Sequence, residues 1–209
     1  MAFISNGTTM LDAGSFSVSL GALTHIKTLT ASSSGTLSFV HGSASVVFNN
    51  TYPLYIFQFI NIHPASHANF QFQCSIDTGS NYNIANTNTT TSAYHGEGGQ
   101  SGGTNSYYYI DSDNANSTSF CNIAGAVYTD NDASVSGELK VFNPSGTTHA
   151  KHWICDTSRM DHSGGVGYNN RFQTAGYFNT TSAIDAIQFK MGSGDIDAGT
   201  FKLYGIKDS

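Results

Sequence analysis

The sequence has 209 residues, of which 39% are hydrophobic, 12% aromatic and only 11% charged, and its formal net charge is −6. This share of apolar side chains excludes a disordered protein, and eight Lys and Arg residues without a basic run exclude a nucleic-acid binder, whose affinity depends on clustered positive charge. The longest apolar run, LYIFQFI at Leu54, is far shorter than the ~20 residues of a membrane helix, so we expect no membrane span. The first residues lack a secretory signal pattern, so we expect a protein made in a cytosol without a signal peptide.

Segments of alternating apolar and polar residues recur along the chain between clusters of Gly, Asn, Ser and Pro. Such alternation predicts β-strands, and no segment keeps the 3.6-residue period of a helix. The predicted strands begin, in chain order, at Phe16, His25, Thr36, Leu54, Asn69, Ser106, Thr118, Glu138 and Ala150, and two more lie within Ile184–Lys207. One helical turn is predicted near Ser92. About ten strands without intervening helices predict an all-β fold: a single domain over residues 1–209, built as a two-sheet antiparallel sandwich of jelly-roll type.

Two strand pairs are predicted to be hairpins. In the first, strand 137–142 turns through Asn143-Pro144-Ser145-Gly146, which fits a type I turn, and pairs with the strand at Ala150. In the second, the two strands of Ile184–Lys207 surround a glycine-rich loop. Its alternation places Phe189 and Leu203 in the core of adjacent strands.

The loop of this second hairpin contains Asp195 and Asp197, and similar acidic clusters occur at 111–116 and 130–132. Two carboxylates could begin a calcium site, but none of these clusters continues as the known calcium loop, and Asp and Asn are the ordinary turn residues between strands. His63 and His67 are four residues apart, but Pro64 opposes the helix that would align them on one face. The sequence therefore predicts no metal site, no cofactor and no catalytic residue, and we expect a protein that is not an enzyme.

Three cysteines are separated by wide intervals and form no CxxC pair, which argues against a disulfide framework and a zinc site. Each follows an apolar alternation, so we predict buried free thiols at Cys74, Cys121 and Cys155.

A glycine-rich tract at 96–103 precedes three consecutive tyrosines, Tyr107, Tyr108 and Tyr109. The tract predicts a mobile or externally held loop, because glycine lowers the tendency of the backbone to order. Tyrosines beside a loop commonly stack on sugars or contact proteins, although burial in the sandwich accounts for them equally well on at least one face. These three residues and Tyr94 are the candidate contact residues for a partner or a glycan.

Five segments together resemble a family of small virion structural proteins of marine tailed bacteriophages, including cyanophages. They are MAFISNGTTMLDAGSF at Met1, IKTLTASSSGTLSFV at Ile26, NNTYPLYIFQFINIHPA at Asn49, SGELKVFNPSGTTHAKHWI at Ser136 and AGYFNTTSAIDAIQFKMGSGDIDAGTFKLYGIK at Ala175. The region from Ala93 to Ala115 departs from the family pattern.

The resemblance implies a place in the virion after synthesis in the bacterial host cytoplasm, and it brings no catalytic residue. It predicts a non-enzymatic structural protein on the particle surface, as a capsid decoration, a fibre head or a tail adaptor, with residues 1–22 as a candidate docking arm. The implied partners are other virion proteins and further copies of the chain, with a trimer favoured. A glycan-binding receptor module of a tail fibre is the alternative, and a polysaccharide depolymerase is a third hypothesis.

Overall fold

A computed structural model of the protein describes residues 3–5, 8–12, 15–16, 23–99, 107–108, 112–163 and 166–207. Over these ranges the chain is all-β and contains no α-helix. The strands are β1 (Phe3–Ser5), β2 (Thr8–Asp12), β3 (Ser15–Phe16), β4 (Leu23–Ser34), β5 (Leu37–Val40), β6 (Leu54–Pro64), β7 (Ala68–Ser75), β8 (Asn86–Gly96), β9 (Tyr107–Tyr108), β10 (Cys121–Val127), β11 (Val135–Phe142), β12 (Lys151–Ser163), β13 (Val166–Phe178), β14 (Ala186–Met191) and β15 (Ile196–Ile206).

Two antiparallel sheets form the body of the protein. The larger has eight strands in the order β4-β15-β6-β11-β12-β13-β8-β9, and the smaller has four in the order β10-β7-β14-β5. A separate three-stranded sheet, β1-β2-β3, precedes them. The chain crosses repeatedly between the two larger sheets, which remain open at their edges. The two-sheet antiparallel sandwich predicted from the sequence is therefore confirmed.

Aromatic side chains fill the space between the two sheets. Phe59 of the larger sheet meets Phe70 of the smaller one edge to face, with ring centroids 5.1 Å apart. Trp153 and Phe72 make the same kind of contact at 4.9 Å. All four side chains are buried. Edge-to-face pairs add to the free energy gained by burial, so this aromatic layer holds the sheets together.

The hairpin predicted for Ile184–Lys207 is wrong in its pairing, although the predicted faces are right. Phe189 and Leu203 are both fully buried. However, β14 pairs with β5 and β7 in the smaller sheet, while β15 pairs with β4 and β6 in the larger one. The glycine-rich loop thus crosses from one sheet to the other, and Phe189 meets Phe201 across the core at 5.4 Å. Alternation determines which face of a strand is buried but not which neighbour it pairs with.

The other predicted hairpin is confirmed. The strands β11 and β12 pair antiparallel, with Val141 opposite Trp153, and the amide of Gly146 donates to the carbonyl of Asn143 over 3.1 Å. Cys74, Cys121 and Cys155 are free and buried, as predicted. Burial raises the pKa of all three thiols above the ordinary value.

Two long polar strands, β8 and β13, were missed by the sequence analysis. Ser92 lies within β8, so the helical turn predicted there is wrong. The inward side of β8 carries Asn86, Asn88, Thr90 and Ser92, all of them buried. Because this side is polar, β8 lacks the apolar alternation by which a strand is recognised.

Hydrogen bonds to backbone replace apolar packing on this side of β8. The Asn86 amide nitrogen donates to the carbonyls of Ser117 and Ser119, at 2.9 Å each. The side-chain nitrogen of Gln73, from the smaller sheet, also donates to the carbonyl of Ser119, over 3.0 Å. Buried polar groups are stable when they find such partners, so the segment from 112 to 119 is anchored by side chains from both sheets.

Candidate interaction surface

Three of the four tyrosines predicted as contact residues lie along one edge of the eight-stranded sheet. The backbone of Tyr107–Tyr108 forms β9 and pairs with the middle of β8. Tyr94 lies further along β8, and its half-buried ring meets the ring of Tyr168 edge to face, with centroids 6.3 Å apart. Tyr109 lies outside the described residues. A role of these tyrosines in binding remains a prediction.

The glycine tract begins with a tight turn. The amide of Gly99 donates to the carbonyl of Gly96 over 3.2 Å, and the φ angle of Gly99 is +66°, which glycine adopts without strain. The remainder of the tract, residues 100–103, lies outside the described residues. The mobility predicted for it remains a prediction.

The acidic residues at the crossing between the sheets have protein partners. The Asp197 carboxylate accepts a hydrogen bond from the Ser33 hydroxyl over 3.2 Å and lies 3.8 Å from the Nδ1 atom of His63. The carbonyl of Asp195 accepts the amide of Ala65 over 2.9 Å. Within the described ranges, no group of three or more His, Cys, Asp and Glu could hold a metal ion. Asp195 therefore lies in the loop, as predicted, whereas Asp197 lies at the start of β15.

The eight-stranded sheet has an outer face, which is the side that points away from the smaller sheet. Along β12, for example, Trp153 and Cys155 point into the core, whereas His152 and Ile154 are exposed. Because the register is continuous from strand to strand, the outward residues form rows that cross the sheet. The central row consists of Thr28, Lys202, Gln58, Glu138, Asp156, Gln173 and Thr91.

The two acidic residues of the central row are paired within the face. The Glu138 carboxylate lies 2.6 Å from the Lys140 amine. Arg171 donates to Asp156 from two nitrogens, with Nε 3.0 Å from Oδ1. Hydrogen bonds from Arg171 lower the pKa of the Asp156 carboxyl, partly offset by desolvation. Exposed ion pairs contribute little to folding stability, but these neutralise the middle of the face.

Apolar side chains are concentrated in two rows on one side of the central row. The adjacent row consists of His25, Tyr204, Ile56, Lys140, Ile154, Ala175 and Thr89. The outermost consists of Leu23, Ile206, Leu54 and Phe142, continued by His152, Tyr177 and Thr87. We call these two rows the apolar end. Within it, Leu23, Ile154 and Phe142 are 53%, 50% and 37% exposed.

Two His–Tyr pairs flank the aliphatic residues of the apolar end. His25 and Tyr204 meet with ring centroids 5.3 Å apart on one side, and His152 and Tyr177 at 6.0 Å on the other. Aromatic side chains of this kind are enriched at protein interfaces because they combine a large apolar area with a polar tip.

The opposite end of the outer face is polar and concave. A pocket of about 500 Å³ lies there, which we call the polar pocket; its lining consists of His95, Gly96, Glu97, Ser134, Ser136, Ser158, Arg159, Met160, Tyr168 and Asn169. Asn169 donates to the Ser158 hydroxyl over 2.8 Å on its floor. Arg159 is nearly buried and donates to the carbonyl of Ala126. The Glu97 carboxylate lies over Gly167, where a Cβ atom would come within 2.7 Å of it.

Sequence reasoning did not identify the outer face as a site, although one signal was present. The segment LYIFQFI is apolar at both parities: Tyr55 and Phe57 face the core, and Leu54 and Ile56 face outward. A strand in an antiparallel sheet with one solvated face is expected to alternate, so apolar residues on both faces indicate a second covered face. The assembly of such residues from seven strands depends on register and could not be read from the chain.

Comparison of the chain with models of known protein families finds no match, and neither curated proteins nor solved structures give one. Over the part of the chain that the structure describes, no helix is long and apolar enough to cross a membrane.

Proposed function

We propose that the chain is a non-enzymatic structural protein on the surface of a phage particle, as a capsid decoration, a fibre head or a tail adaptor. The observation that carries this proposal is the exposed apolar end of the outer face. Contiguous apolar surface of this kind marks sites of interaction with other proteins. Three of the segments that carry the family resemblance, at residues 49–65, 136–154 and 175–207, include most of the strands that form it.

The ionisable groups of the outer face support binding rather than catalysis. Glu138 and Asp156 are held in ion pairs with Lys140 and Arg171. General acids and bases work best with a pKa near the working pH, whereas the pKa of Asp156 is lowered from its ordinary value. The proposed partners are therefore other virion proteins and further copies of the chain, without nucleic acid and without a cofactor.

The test is to locate the chain in purified particles. An antibody raised against the folded protein should label intact particles, and the chain should co-sediment with them in a constant ratio to the major capsid protein. Labelling on the head, the tail or the fibre tips distinguishes the three positions. A chain that is abundant in the lysate but absent from particles purified away from a host cytosolic marker would exclude the virion role.

A second candidate function is recognition of a host glycan, which the polar pocket favours. Its hydroxyl and amide groups, together with Tyr168, have the chemistry that pockets for sugars use to fix orientation and provide apolar contact. Binding of host surface polysaccharide, measured by calorimetry, should weaken in Asn169→Ala. It should be unchanged in Asn179→Ala, an exposed asparagine outside the pocket lining. No measurable binding by the wild-type chain would rule this function out.

A further inference from the structure

We propose that two copies of this chain pack face to face through the apolar end and the central row, related by a two-fold axis that runs parallel to the strands between β6 and β11. The proposal specifies the partner of the assembly surface and rests on the structural role proposed above. Sheets that pack face to face keep their strands nearly aligned, which such an axis permits.

The area of the surface suits a dimer. Neighbouring strands are about 4.8 Å apart and successive outward residues about 6.8 Å apart, so each outward residue occupies about 33 Å² of the sheet. The proposed axis overlaps six strands, those from β4 to β13 across the sheet, so the central row and the two rows of the apolar end bring about 600 Å² into contact. A standard specific interface buries about 800 Å² on each partner. Two such faces together cover about 1,200 Å², which is the lower limit of the size that stable association needs.

The charge of the surface also favours a second copy. The whole chain has a formal charge of −6, so two copies repel each other over most of their surfaces. In the three rows, however, Lys140 and Lys202 balance Glu138 and Asp156. This neutral region is where copies can approach without a net electrostatic cost.

The position of the axis follows from matching side chains row by row. An axis between β6 and β11 places β15 opposite the partner's β12, and β6 opposite the partner's β11. Lys202 then faces Asp156 of the second copy, Tyr204 faces Ile154 and Leu54 faces Phe142. An axis shifted by half a strand spacing, so that it runs along β11 itself, would instead place Glu138 against Glu138 of the second copy. Of these two axes, only the first brings opposite charges together, although it also places Ile56 opposite Lys140 of the second copy.

Because the same surface is used by both copies, the contact is isologous and closes as a dimer. This differs from the trimer that the family resemblance favours. The polar pocket lies on the opposite side of the central row and stays open in such a dimer.

The first experiment measures the mass of the full chain in solution by light scattering and sedimentation, over about 1 to 100 µM. The wild-type chain should have twice the mass of one chain at the upper concentrations. The dissociation constant of the dimer should be at least about a hundredfold higher for the Ile154→Asp variant, because each dimer carries the change twice. The matched control is Ile76→Asp, which changes an isoleucine of similar exposure (40%) away from this face and should leave the dimer intact. Thermal melts of both variants check that the monomer remains folded.

The second experiment tests the axis by charge reversal. Lys202→Glu and Asp156→Lys should each weaken the dimer about tenfold, and the double variant should return to within about threefold of the wild type. Lys190→Glu, a lysine of the smaller sheet, is the control and should have no effect.

Several results would overturn the proposal. A wild-type chain that stays monomeric at 100 µM would assign the apolar end to a different protein, and a trimer would exclude the two-fold contact. Equal effects of Ile154→Asp and Ile76→Asp would place the interface elsewhere. A double charge variant that dimerises less tightly than either single variant would exclude this axis. None of these results bears on whether the chain is part of the particle, which the labelling experiment decides. The dimer and the virion role can therefore be refuted independently.

Discussion

Phe189 is the centre of the aromatic core, and its removal is the sharpest test of the sandwich. Its ring lies between 5.2 and 6.3 Å from the rings of six other phenylalanines, from both sheets: Phe39, Phe57, Phe59, Phe70, Phe72 and Phe201. Replacement of a buried phenylalanine by alanine costs about 3–5 kcal/mol, and each lost aromatic pair adds to the loss from burial. We therefore expect Phe189→Ala to lower the free energy of unfolding by about 4–5 kcal/mol.

Urea denaturation followed by tryptophan fluorescence measures this loss, since the single tryptophan, Trp153, is part of the same core. The midpoint should fall with an unchanged slope, and the melting temperature should fall by about 10 °C or more. Phe120→Ala is the matched control, because Phe120 is only half-buried beside the amine of Lys190, and should cost less than half as much. A loss below about 2 kcal/mol for Phe189→Ala, or equal losses for both variants, would show that the sheets do not meet through this residue.

Three further predictions concern the polar strand, an acidic turn and the glycine tract. Asn86→Ala should lower the free energy of unfolding by about 1–3 kcal/mol in urea denaturation, because it leaves the carbonyls of Ser117 and Ser119 without this donor. Thr89→Ala, on the exposed side of β8, is the control and should cost less than about 0.5 kcal/mol. Equal costs for the two variants would contradict the anchoring role of Asn86. Hydrogen bonds from Asn81 and Ser75 lower the pKa of Asp77 to about 2, so its contribution is present above the ordinary carboxyl pKa and is lost as the pH falls from about 4 to about 2. Asp77→Asn should remove this part of the acid dependence of the urea midpoint, and an unchanged pH profile would refute the assignment. Deletion of residues 98–103 should shift the melting temperature by less than about 2 °C, because a shorter loop costs less closure entropy, and unfolding of this variant would show that the tract is part of the core.

The sequence by itself determined the fold class and the burial of most strands. Alternation identified β6, β11, β14 and β15 and assigned Phe189 and Leu203 to the core, because an apolar side must be removed from water whichever partner covers it. The turn at Asn143–Gly146 also followed from local chemistry, since Pro144 and Gly146 suit the second and fourth positions of a turn.

Only the tertiary structure decided which strands pair and what surface they present. The loop after Met191 leads from β14 in the smaller sheet to β15 in the larger one. The local pattern does not distinguish this arrangement from a hairpin, because each strand can bury its apolar side in either sheet. The strand β8 is stable because Asn86 and Asn88 find backbone partners more than 20 residues away, at Ser117 and Ser112. The apolar end likewise depends on contacts between residues that are far apart in the sequence. Its residues come from seven strands, and only the hydrogen-bonded register across the sheet brings Leu23, Phe142 and Ile154 onto one face.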